Sequence, residues 1–108
     1  MVICLAVASD GTVDPRWGRA HRVAVAAAAG GTITDWEVFD VSWDTLHDTG
    51  PEGAHHARVA RFLGEHRVDT VLAHHMGGGM AQMLAKMGVT VRLGVGGDAR
   101  QAVVSAAS

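Results

Sequence analysis

Four of the seven histidines in this sequence stand in two adjacent pairs, His55-His56 and His74-His75. Neutral imidazole is a ligand for zinc, iron, copper and nickel, so pairs that returned to one place in space could hold a transition metal or the metals of a cluster. Two adjacent side chains cannot both face one point without distorting the backbone. At most one member of each pair is therefore expected at a metal, and the other solvated or packed. His55 and His56 also lie four and three residues before Val59, where either would extend the buried face of a helix. His21 and His47 are weaker candidates, and His66 reads as structural.

The second feature is the run His74-His75-Met76-Gly77-Gly78-Gly79-Met80. Glycines between a strand and a helix let backbone N–H groups approach a ligand at the positive end of a helix dipole, which suits an anion. Gly77, Gly78 and Gly79 are the candidates for such a cradle. No Lys-Ser or Lys-Thr follows them, and the spacing of the dinucleotide fingerprint is missing. Arg19 is a candidate to offset negative charge, and Asp10 and Trp17 are candidates for ligand contact. Met80, Met83, Leu84 and Met87 recur at helical spacing and read as core, with Met76 and Met80 near enough to the turn to touch a ligand. Cys4 sits among apolar neighbours and reads as a small buried hydrophobe. Trp17 and Trp43, both in loops, are expected as a partly exposed wall or lid.

These residues need elements to bring them together. Val2 to Ala8 is an apolar run with the pattern of a central strand covered on both faces. Arg22 to Ala29 and Thr32 to Val41 are two further strand-like runs, and the Gly30-Gly31 between them reads as a hairpin turn. The period then changes. Ala54 to His66 places Val59, Phe62, Leu63 and His66 on one helical side; Val68 to Ala73 reads as a strand. A helix over the methionine row ends at Gly88. Val89 to Val95 is a fifth strand, and Asp98 caps a last helix over Ala99 to Ala107.

The order βββαβαβα predicts a single α/β domain over residues 1–108, with helices on both faces of a five-stranded mixed sheet. Right-handed crossovers fix which ends lie together. The loops 9–21, 42–53, 74–79 and 94–98 fall on one edge, where open α/β sheets bind ligands. About twelve helical residues descend ~18 Å at ~1.5 Å each, and five or six strand residues climb nearly that height at ~3.3 Å each. Both histidine pairs thus return to one level.

Composition narrows the functions. The chain has 108 residues, 48 % hydrophobic and 19 % charged, with net charge −2. That balance offers no footprint for a polyanion, so no nucleic-acid partner is expected. No window approaches the ~20 apolar residues of a membrane span, and neither a membrane nor a signal segment is expected; the cytoplasm is the expected compartment. One cysteine excludes an intrachain disulfide and a cysteine-paired zinc motif. Alanine and glycine are abundant, so the core must come from valines, a few larger aliphatics and three tryptophans.

Taken together, the opening strand with Ser9-Asp10-Gly11, the run DPRWGRAHR, the Gly-Gly hairpin and VDTVLAHHMGGGMAQMLAKMGVTV resemble the dinitrogenase iron-molybdenum cofactor biosynthesis family across essentially the whole chain. The resemblance implies a ribonuclease-H-like three-layer α/β fold. It also implies a small accessory or carrier protein, not an enzyme, resembling nitrogenase accessory factors. Its ligand would be an iron-sulfur or molybdenum-containing cluster, or a single transition metal ion, and a transient protein partner in cofactor assembly is implied. Two departures matter. Arg16-Trp17-Gly18 stands where the family often has His-Phe-Gly, and His74-His75-Met76-Gly77 stands where Gly-Gly-Ile-Gly is usual.

Three functions follow as expectations. A carrier would hold an anionic cluster or metal ion through His74, His75, His55 or His56, with the Gly77–Gly79 amides and Arg19 offsetting charge. The alternative is a non-catalytic anion- or nucleotide-binding or protein-interaction module that keeps the fold without the cluster. A metal-dependent nuclease would need several carboxylates on that edge, and Asp10 is the only one expected at the end of a central strand.

Overall fold

The first strand explains the layering. In the computed structural model, which describes residues 1–51 and 53–108, β1 (Val2–Ala6) is paired on both sides and buried on both faces. Its alternate residues feed separate cores. Cys4 and Ala6 face one, Ile3 and Leu5 the other. β2 (Arg22–Ala29) runs antiparallel to β1, and β3 (Thr32–Asp40) pairs antiparallel beyond it. Gly30 and Gly31 both have positive φ, 57° and 77°, the backbone that the two-residue hairpin between β2 and β3 requires. A register shift at Ala27/Ala28 leaves Thr34 unpaired, and its hydroxyl donates to the Ala27 carbonyl at 3.2 Å.

The second half supplies parallel strands and most of the helices. α1 (Trp43–Leu46) and α2 (Ala54–Glu65) precede β4 (Thr70–Leu72), and α3 (Gly78–Lys86) precedes β5 (Thr90–Arg92). α4 (Ala99–Ala106) ends the chain. β4 and β5 pair parallel in the order β3-β2-β1-β4-β5. α2 and α3 cover one face through Val59, Leu63, Met80 and Leu84; α4 covers the other through Ala99 and Val103. Under α4, β2 presents only Ala24, Ala26 and Ala28. Small side chains on both surfaces let helix and sheet approach closely, which is where much of the alanine goes.

The α/β class and the five-stranded mixed sheet are as the sequence implies, and the element ends are tighter. β4 and β5 have three residues each, because β4 pairs with β1 only at Ile3, Cys4 and Leu5. α3 starts at Gly78, so two of the three glycines belong to its first turn. The single turns Trp17–Arg19, a 3-10 helix, and α1 lie inside segments expected as loops. Each is anchored by a tryptophan, and a turn of three or four residues carries no readable period. Cys4 is fully buried, and burial pushes its thiol pKa far up. Of the methionine row, Met80 is buried and Met83 packs on the core, while Met87 is 39 % exposed.

Candidate functional site

A cleft of about 930 Å³ opens at the edge where β1 and β4 end. Four segments wall it: 15–19, the loop 47–51 with the start of α2, the turn 75–77, and the first turn of α3. Their positions follow from a few polar anchors. Asp14 is buried, its N–H donates to the Ala6 carbonyl at 3.0 Å, and its carboxylate accepts from Arg16 Nε at 3.2 Å and Nη2 at 3.1 Å. That fork directs the chain into the turn at Trp17–Arg19, where the backbone of Arg16 pairs with that of His75 as an isolated parallel β-bridge.

Beneath this wall runs a chain of aromatic contacts. Trp17 meets Trp43 edge to face at 5.5 Å, Trp43 meets Phe62 at 5.8 Å, and Phe62 meets Phe39 at 5.5 Å. The two loop tryptophans are 2 % and 1 % exposed, so they form the floor's support and not a lid. His66 packs against Phe39 and Phe62 at the far end, the structural place expected of it.

Each histidine then has a distinct position. His55 Nε2 donates to the Gly18 carbonyl at 2.7 Å, so its Nδ1 is the bare nitrogen and accepts from Arg58 Nη1 at 2.9 Å. Both ring nitrogens are engaged, and neither is left for a metal. Burial, together with the charges on Arg58, His47 and His56, lowers the His55 pKa against the opposing effect of the Gly18 contact. Arg58 also donates to the Leu46 carbonyl at 3.0 Å and to Thr49 Oγ1 at 3.3 Å, tying the loop wall to α2. His47 donates from Nδ1 to the Trp43 carbonyl at 2.9 Å and meets the Asp48 carboxylate at 3.1 Å.

His56 and His75 differ from these. Both are exposed, both line the cleft, and neither ring makes a hydrogen bond to another described residue. His56 lies against the first turn of α3, where a Cβ on Gly79 would sit 3.1 Å from its Cε1. His74 is outside the cleft walls; its carbonyl accepts from the Gly94 N–H, and its ring is exposed elsewhere. One member of each pair therefore remains available, His56 and His75, in keeping with the constraint on adjacent side chains.

The other candidates divide similarly. Trp17, Arg19, Gly77 and Gly79 line the cleft; Gly78 and Asp10 do not. Asp10 is directed away because its carboxylate closes a turn with Thr12, accepting from the N–H at 3.0 Å and the hydroxyl at 2.6 Å. Those bonds hold its pKa below the ordinary value. His21 also stands apart, paired with Asp44 at 3.2 Å, which lowers the Asp44 pKa. Sequence reasoning passed over Arg58, whose signal was its position three residues after His55.

The lining is rich in donors. The N-termini of α2 and α3 both meet the cleft at Gly53 and Gly77, and neither N-cap supplies a side-chain acceptor. First-turn amides have no partner within a helix and carry partial positive charge. Arg19 makes no ion pair among the described residues. Met76 and Met80 add buried, polarizable surface. Among the described residues no three His, Cys, Asp or Glu side chains converge as a metal site. The arrangement fits a group that brings its own anionic atoms, with one or two imidazoles within its reach.

Known structures share this fold. The crystal structure of PH0822 matches with a TM-score of 0.75 at 20 % identity, over 98 % of this chain and 88 % of that one. The apo form of the orange protein from Desulfovibrio gigas matches with a TM-score of 0.73 at 25 % identity, over 96 % and 83 %. A putative NifB protein from Thermotoga matches with a TM-score of 0.68 at 24 % identity, over 94 % and 83 %. No curated protein matches the chain. The family model described as dinitrogenase iron-molybdenum cofactor matches residues 1–108, and the chain belongs to that family.

Proposed function

We propose that this protein is a small non-catalytic carrier that holds an anionic metal cluster, of iron-sulfur or molybdenum type, as cargo in the cleft. The observation that carries the reading is the meeting of two helix N-termini, each with a glycine N-cap, with His56 and His75 around one opening. Sulfides of such a cluster accept hydrogen bonds while its metals accept imidazole, so a donor-rich wall with two open imidazoles suits both kinds of atom. Arg19 offsets the cargo's charge. His55, His47 and Arg58 hold the walls in place. Family membership and the likeness to the orange protein support a role in metal-cofactor assembly. We place that role in the cytoplasm, with a transient protein partner delivering or receiving the cluster. No helix is long and apolar enough to cross a membrane among the described residues.

The alternative, a module that binds a simple anion or nucleotide and no cluster, draws on the same donors. It is favoured by the lack of a three-residue ligand set among the described residues. Anaerobic purification followed by metal analysis and visible absorbance separates the two, using protein incubated with iron, sulfide and tetrathiomolybdate. The carrier reading expects bound metal and colour, reduced in His75→Ala and His56→Ala and unchanged in His74→Ala. Colourless, metal-free protein that is stabilised by phosphate would establish the alternative.

A further inference from the structure

Trp17 Nε1 is the one buried side-chain polar atom without a hydrogen-bond partner among the described residues. Such atoms are rare, because a buried indole N–H normally finds an acceptor and loses its hydration for nothing if it does not. Trp17 is 2 % exposed, and it is one of the residues lining the cleft, between Arg16 and Gly18. The nearby side chains leave it unsatisfied. Trp43 meets it edge to face, His55 uses the Gly18 carbonyl, and Met80 reaches toward Gly18 with its methyl group.

We propose that the Trp17 indole N–H donates a hydrogen bond to the ligand of the cleft, and that the ligand presents an anionic oxygen or sulfide to this wall. The inference rests on the carrier reading and sharpens it. An indole N–H only donates, so it cannot satisfy a bare metal ion. The helix N-termini and Arg19 disfavour a bare cation for the same electrostatic reason. Trp17 thus selects for an acceptor-bearing anion against a free cation, with the imidazoles of His56 and His75 left for whatever metal the anion carries.

The test uses the whole chain labelled with nitrogen-15, whose three tryptophans give three indole N–H resonances. Trp17→Phe assigns one of them by its loss. Molybdate presents oxygen, tetrathiomolybdate presents sulfide, and zinc is the bare cation. The expected result is a downfield shift and slower solvent exchange of the Trp17 resonance with one or both anions, and none with zinc. The Trp36 resonance stays still, since that ring lies under Arg100 on the α4 side of the sheet. Which anion acts identifies the acceptor. Trp17→Phe should also weaken binding of that anion about fivefold to tenfold, the effect of one net hydrogen bond.

Shifts at the Gly77 and Gly79 amides with a silent Trp17 indole would overturn this proposal and leave the carrier reading standing. Silence at every cleft resonance, with no metal uptake, would overturn both. A Trp17 indole that is shifted upfield and indifferent to anions would show an N–H directed at the face of Trp43, and the proposal would fail on that result as well. The shifts are read on the unaltered chain, whose indole signals are assigned from their through-space contacts should Trp17→Phe fail to fold.

Discussion

His55 and His56 are neighbours in the chain and do opposite work. His55 is a neutral ring fixed between a carbonyl and a guanidinium, whereas His56 lies open against α3. Protonating His55 would set an N–H against Arg58 and lose that bond. Its pKa is lowered from the ordinary 6.5, so the fold binds fewer protons than the unfolded chain in the interval below that value, and stability rises with pH across it. The contribution is fully present above about 6.5 and is lost as the pH falls toward the lowered value. Thermal midpoints of the wild type and His55→Asn, measured from pH 8 to pH 5, should differ most at pH 8 and converge toward pH 5. A gap independent of pH would count against the assigned tautomer. The glycines allow a second comparison at this scale. None of Gly77, Gly78 and Gly79 has positive φ, and a Cβ on Gly78 would meet nothing within 4 Å. Gly78→Ala should therefore stabilise by about 0.5 kcal/mol through the unfolded chain. Gly79→Ala should gain less, because its Cβ meets His56 at 3.1 Å, and the His56 ring resonances should move in that variant alone.

At the scale of elements, the helix ends were legible where backbone chemistry is explicit. Gly88 ends α3 with φ 76°, and the bonds Gly88 N–H to Ala85 and Val89 N–H to Leu84 complete the stop. Asp98 caps α4 by accepting from the Gln101 N–H at 2.9 Å, as its position predicts. The end of α2 uses the same two bonds, with Arg67 at φ 54° in the place of glycine. No residue type announced that. The meeting of the histidine pairs at one edge was readable from rise per residue and crossover handedness; the choice within each pair was not. That choice depends on Gly18 and Gly94, contacts distant in sequence whose geometry only the fold sets, together with Arg58 one helical turn on from His55. Asp10 shows the limit of edge-level placement, since a carboxylate at the correct end of β1 is turned aside by Thr12 two residues later. Arg58 is the polar link between α2 and the 46–49 wall. Arg58→Ala leaves His55 Nδ1 without its donor and the wall untied, so the cleft should loosen while the core persists. The expected measurement is faster amide exchange confined to residues 46–49 and 17–19, with α4 protected as before. Uniform loss of protection would show that Arg58 supports the whole fold instead.

At the scale of the molecule, the sheet separates binding from much of the stability. The cleft belongs to the face covered by α2 and α3, while the core beneath α4 has no part in its walls. A change on the α4 side should therefore alter the population of folded chains without altering what each one binds. Val103 is fully buried there, and Val103→Ala removes two methyl groups' worth of buried surface, roughly 1.5 kcal/mol at ~0.8 kcal/mol per group before any cavity cost. Ligand stabilises the native state by an amount set by its concentration and affinity alone when the unfolded chain does not bind it. The increment in unfolding free energy from a saturating anion, compared at one temperature, should then be equal in the wild type and Val103→Ala, although the variant unfolds earlier in denaturant. Leu63→Ala, in the core that supports Trp17 and Trp43, should cost about 2–5 kcal/mol and also reduce the increment, because the floor of the cleft rests on that core. Equal increments in all three proteins would mean that the cleft is held by its polar anchors alone, and reduced increments in both variants would mean that the two faces of the sheet are coupled.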